Sequence, residues 1–172
     1  MFEGSDFLEI KHMNSPTYGK VDLEQIIKII KNIVDSEPQY KYNLFVGTDS
    51  QNFDSTKMVM VVALHKVGAG GIFFYKTFYV PKVKSIRKKL TIETQTSLGL
   101  ADKLIELFEK EFDKTGFDYT KINFGIHVDI GTNGKTNVLI PEITAWVKAC
   151  GYECSIKPDS FTASSIANKY SK

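Results

Sequence analysis

INFGIHVDI, residues 122–130, is the stretch on which the fold turns. Apolar side chains recur at Ile122, Phe124, Ile126, Val128 and Ile130, while Asn123, Gly125, His127 and Asp129 take the alternate positions. That period of two predicts a strand with two distinct faces. Just upstream, TIETQTSLGLADKLIELFEKEFDK (91–114) reads as a long helix ended by Gly116. Three β-rich segments precede the helix: YNLFVGTDS (42–50), KMVMVVALHKV (57–67) and GIFFYKTFYVP (71–81). Their connections are short, and the glycine-rich GAGG (68–71) marks a tight turn, so the three are expected to form an antiparallel meander. A strand reached through a crossover helix normally runs parallel to its partner, with right-handed connection. The natural partner of 122–130 is therefore 42–50.

Outward from this frame, VDLEQIIKIIKNIVDS (21–36) has the apolar spacing of an amphipathic helix, with Leu23, Ile26, Ile27, Ile30 and either Ile33 or Val34 on one stripe. The residues up to about Tyr18 lack clear periodicity and read as an irregular arm. PEITAWVKACG (141–151) is helical, YECSIK (152–157) is a short strand, and DSFTASSIANKYSK (159–172) is a terminal helix. The expected architecture is α/β: a mixed five-stranded sheet, three antiparallel strands and then two parallel ones, flanked by helices. Residues 1–41 supply the arm and first helix, and 42–172 the main domain, in one compact unit.

This order brings acidic residues together. Asp49 closes the first meander strand and Asp129 the fourth, at the carboxyl ends where crevices form in α/β sheets. The stripe of the long helix, drawn through Ser97, Ala101, Leu104, Phe108 and Phe112, extends back four residues to Glu93. A carboxylate on that inward face is costly without compensation, so Glu93 is expected to point across the strand ends towards both Asp residues. Each acid alone has a simpler explanation, as a partner for the helix dipole or as a turn former. Convergence of all three favours a site. Clustered carboxylates repel unless a cation neutralises them, and an all-oxygen set suits Mg²⁺ or Mn²⁺. Two such ions would suit phosphodiester hydrolysis.

Composition is compatible with this. The 172 residues are 42% hydrophobic with a formal net charge of +2, enough for a core and too little charge to prove an anionic partner. Positive charge is nevertheless concentrated in PKVKSIRKKL (81–90), where Lys82, Lys84, Arg87, Lys88 and Lys89 could grip phosphates beside the acidic cluster. Such a run is otherwise a solvated loop. Lys135 and Lys157 are further phosphate contacts by position, and Thr48, Ser50 and Gln51 flank Asp49. His127 shares a strand face with Asp129, as a proton carrier or simply as a half-buried, hydrogen-bonded residue. No apolar run would span a bilayer and the N-terminus lacks an apolar signal core. Cys150 and Cys154 lack a second pair to complete a zinc site and read as packing residues, so a cytoplasmic location without membrane contact is expected.

Taken in order, VGTDSQ, the ET pair early in the long helix, HVDIGTNGKT and KPDSFTASSIANKYSK resemble the bacterial YkuK-like family of ribonuclease H-related proteins, from about Tyr42 to the C-terminus. The resemblance implies a metal-dependent nuclease acting on RNA, DNA or their hybrid, with Asp49, Glu93 and Asp129 matching that fold's catalytic acids in order and element type. It also implies a fourth carboxylate from the last helix. Asp159 matches best, although it is equally a helix N-cap. Asn168 lies further along, where an acid is expected in relatives, which favours a non-catalytic nucleic-acid-binding domain as an alternative. The other alternative is nucleotide binding through GTNGKT (131–136), which is similar to the phosphate loop of Mur-ligase-type enzymes. Against it, the first glycine of the full phosphate-loop pattern falls on Asp129, and Pro141 interrupts the helix that should follow.

Overall fold

In the computed structural model, which describes residues 10–130 and 136–156, the meander forms as expected. Strand β3 (Tyr42–Asn52) pairs antiparallel with β4 (Thr56–Lys66), from Tyr42↔Lys66 to Asn52↔Thr56. β4 pairs in turn with β5 (Gly71–Val80), after a turn in which Gly68 and Gly70 adopt left-handed conformations at φ 84° and 86°. β6 (Asn123–His127) lies parallel to β3, and β7 (Glu153–Ser155) parallel to β6. The crossover that orients β6 is α2 (Ile86–Thr115), which Gly116 ends in the left-handed conformation, φ 75°.

The sheet has seven strands, not five, in the order β2-β1-β5-β4-β3-β6-β7. The two additions are β1 (His12–Ser15) and β2 (Gly19–Asp22), inside and just after the stretch expected to be irregular. They escape a periodicity search because each has only four residues and one large apolar anchor, Met13 in β1 and Val21 in β2, both buried. β1 docks on β5 through Asn14↔Tyr75 and so extends the meander.

Helix α1 (Leu23–Ser36) starts with a reciprocal cap: Gln25 N–H donates to Asp22 Oδ1 and Asp22 N–H to Gln25 Oε1, each at 2.7 Å. Its buried stripe closes on Val34 rather than Ile33. The main core lies between α1, α2, α3 (Ile140–Ala149) and one sheet face, where Leu44, Val46, Met60, Val62 and Ile126 meet Ala101, Leu104 and Phe108. On α2 the buried stripe continues through Glu111, whereas Phe112, expected inside, is half exposed. A straight helix drifts against a strict four-residue step, and the i+3 position takes over. A smaller group, Val59, Val61 and Ala63, packs on the opposite face. No described helix is long and apolar enough to cross a membrane.

Candidate functional site

The parallel register of β3 and β6 sets the level of the two aspartates. Gly47 pairs with His127 on the last shared rung, and Asp49 and Asp129 each lie two residues beyond it. Adjacent strands run about 4.8 Å apart, so the two acids share one end of the sheet. They are not both strand ends, as the sequence suggests. The β3–β4 hairpin runs on to Asn52, leaving Asp49 inside β3, while Asp129 follows β6 in a non-strand segment.

Glu93 comes to this end from α2. The helix begins at Ile86 rather than Thr91, with Ser85 as its N-cap, so Glu93 lies beyond the first turn, where interaction with the helix dipole has largely faded. Its side chain is buried, with 8% of the residue exposed. Burial pushes the Glu93 carboxyl well above the ordinary carboxylate range. The negative charges of Asp49 and then Asp129 push it further, against weaker opposing pulls from Lys89 and the Ser50 hydroxyl. The three acids expected to converge therefore share one electrostatic environment.

Alternation along β3 fixes how the strand meets α2. Thr48, buried, faces the helix, and its hydroxyl shares a 2.8 Å hydrogen bond with the buried Ser97 hydroxyl, one helical turn beyond Glu93. Thr48→Val would leave Ser97 without this partner and is expected to cost about 1–3 kcal/mol, read as a lower urea midpoint at unchanged slope. An unchanged midpoint would show that the bond carries no stability. Asp49 and Gln51 alternate to the other face of the strand. Gln51 Oε1 is buried without a hydrogen-bond donor, an acceptor oxygen two residues from Asp49. His127, on the last rung below Asp129, is buried rather than half-buried, its ring 3.9 Å from that of Phe45 between centroids.

The donor set (Asp49, Glu93, Asp129 and the Gln51 amide oxygen) is all oxygen, the chemistry that hard divalent cations prefer. At Glu93 the two aspartates outweigh the opposing pull of Lys89. Among the described residues, however, no three Asp, Glu, His or Cys side chains are gathered closely enough to enclose an ion as they stand. The residues fit such a cation by chemistry and charge, as a cluster coupled at Coulomb range.

The basic run divides between two elements. Lys82 and Lys84 lie in the segment between β5 and α2, whereas Arg87, Lys88 and Lys89 are in the first turn of α2. All are exposed except Lys89, which is partly buried. Arg87 is engaged at 2.5 Å with Glu142 of α3. Two residues absent from the sequence reading, Asn52 and Thr56, tie the segment down by hydrogen bonds to Val83. Lys135, Lys157, Asp159, Asn168 and residues 131–135 of the glycine loop lie outside the described residues.

Comparison with known proteins agrees with this architecture. A ribonuclease H-like family profile matches residues 25–172. The uncharacterized protein YkuK of Bacillus subtilis (strain 168) is 33% identical over 161 residues, covering 90% of this chain and 93% of the relative. No solved structure matches significantly. The family supports a nuclease-type or nucleic-acid-related function. By its profile match and its near full-length similarity to YkuK, the chain belongs to the ribonuclease H-like family.

Proposed function

We propose that the protein is a divalent-metal-dependent nuclease, hydrolysing nucleic-acid phosphodiesters at Asp49, Glu93 and Asp129. The observation that carries this reading is the buried Glu93 carboxyl, destabilised in its charged form by both aspartates. Stability alone would not select two aspartates around a buried glutamate that they repel, whereas a cation-binding site needs them. Asp49, Asp129 and Glu93 would hold Mg²⁺ or Mn²⁺, with the Gln51 amide oxygen as a neutral donor nearby. Bound there, a divalent cation supplies Lewis-acid stabilisation of the phosphodiester and acidifies an attacking water.

The chain's own residues supply the rest. The Thr48–Ser97 bond holds β3 against α2, which fixes the approach of Glu93 to Asp49. Lys82, Lys84, Lys88 and Lys89 offer a positive surface beside the acids. Three basic residues and no acidic one occupy the first turn of α2, the positive end of its dipole. Glu142 offsets Arg87, and the remaining lysines favour an anion such as a phosphodiester backbone.

The test is an assay of the full chain on labelled RNA, DNA and RNA/DNA hybrid in Mg²⁺ and in Mn²⁺. Cleavage of at least one substrate is expected, abolished by EDTA and absent in Asp49→Asn. Cleavage that persists in Asp49→Asn would assign the activity to another site or to a contaminant.

A further inference from the structure

Between β5 and α2 the chain runs PKVKS, residues 81–85, with an apolar residue set between two lysines. Val83 is buried against Met58, Val80 and Ile92, while Lys82 and Lys84 on either side of it are exposed. Both backbone groups of Val83 are taken by the β3–β4 hairpin. Its N–H donates to Thr56 Oγ1 at 2.8 Å, and its carbonyl accepts from Asn52 Nδ2 at 3.0 Å. The two hairpin residues are themselves joined, Thr56 Oγ1 donating to Asn52 Oδ1 at 2.6 Å. Thr56 is fully buried, so its hydroxyl has no water to exchange with.

This closed triangle gives the segment a rigidity that surface loops ordinarily lack. It also fixes where the segment sits, because Asn52 is three residues along β3 from Asp49, roughly 10 Å. With Val83 turned inward, Lys82 and Lys84 are held outward about 7 Å apart. A lysine on a free loop gives up conformational entropy when it meets a phosphate, and a pre-set backbone reduces that cost.

We propose that residues 81–85 form a strap gripping the phosphate backbone of one nucleic-acid strand, and that Asn52 and Thr56 are positioning residues setting the register of that grip relative to the acidic site. The proposal rests on the nucleic-acid reading above. Neither residue touches the strand; each acts through Val83.

The experiment measures affinity of the full chain for fluorescein-labelled single-stranded RNA and DNA by anisotropy, in EDTA so that nothing is cleaved, across a range of salt. The paired variant Lys82→Ala/Lys84→Ala is expected to flatten the salt dependence by up to about two units of slope. Thr56→Val removes no charge and keeps the side-chain shape. It is nevertheless expected to weaken binding about fivefold, the scale of one net hydrogen bond, and to flatten the same slope. Thr56→Ser, which keeps the hydroxyl, should restore both. In the Thr56→Val background the paired lysine change should cost less than in the wild type. Asn52→Ala, at an exposed position, gives the same readout should Thr56→Val fail to fold. A wild-type salt slope in both hairpin variants, or strict additivity with the lysine change, overturns the strap and leaves the nuclease reading intact. Failure of the wild type to bind any strand overturns both.

Discussion

Glu93→Gln is expected to abolish cleavage while making the metal-free protein more stable. The two effects share one cause. Gln keeps the shape of the side chain but removes a charge that burial, Asp49 and Asp129 all disfavour. The Glu93 carboxyl lies well above its ordinary value of 4.5 in the folded protein, so folding is coupled to its protonation. A group with a raised folded-state value contributes stability that is fully present below the unfolded-state value and is lost as pH rises towards the folded one. In EDTA the wild type should therefore lose melting temperature as pH rises above the ordinary carboxylate range, and Glu93→Gln should lose less. The gap favours the variant and widens with pH, at roughly 2–4 °C for each kcal/mol in a chain of this size. Added Mg²⁺ should reverse the order, because a ligand that binds only the folded state stabilises it and the variant has lost a ligand. Cleavage should fall by at least about a hundredfold, since even outer-sphere partners of a metal are worth 10–100-fold. A variant with wild-type pH dependence and wild-type response to Mg²⁺ would remove Glu93 from the site.

Much of this was legible in the sequence because it rests on periodicity. The alternation in 122–130 places β6, and the helix before it dictates the parallel pairing with β3, so Asp49 and Asp129 reach one sheet end without any knowledge of tertiary contacts. Glu93 follows from the i−4 step on α2. Helix boundaries were less legible. The start of α2 at Ile86 depends on Ser85 as an N-cap within a basic run, where charge hides the helix signal. That shift has a functional consequence, since it moves Glu93 out of the dipole's reach and puts Lys88 and Lys89 on the helix. β1 and β2 were illegible for a different reason. Four-residue strands with one apolar anchor draw their stability from pairing with β5 and from the core, which no local pattern encodes. The Asn52–Thr56–Val83 triangle is a contact between segments about thirty residues apart. Its only sequence trace is the valine set between two lysines.

The largest loss of stability is expected from Ile126→Ala. Ile126 is fully buried in β6, paired with Val46 of β3 on one side and Cys154 of β7 on the other. Truncation removes three carbons from a packed interior bordered by backbone ladders on both edges, which cannot collapse into the space without breaking register. Ile→Ala at such sites costs 2–5 kcal/mol, and a strand held on both sides should fall near the middle, about 3 kcal/mol. That corresponds to a melting temperature roughly 6–12 °C lower. Val138→Ala, at a residue 77% exposed, is the control and should stay within about 0.5 kcal/mol. The functional consequence follows from register. Asp129 is carried two residues beyond the last β3–β6 rung, so loosening β6 should blur its alignment with Asp49. Ile126→Ala should then lose Mg²⁺-induced stabilisation, measured well below its own melting temperature, in addition to its global loss. A variant no less stable than Val138→Ala would mean that Ile126 is not part of a tightly packed core. One that is destabilised yet keeps the full Mg²⁺ response would separate the placement of Asp129 from the packing of the strand that carries it.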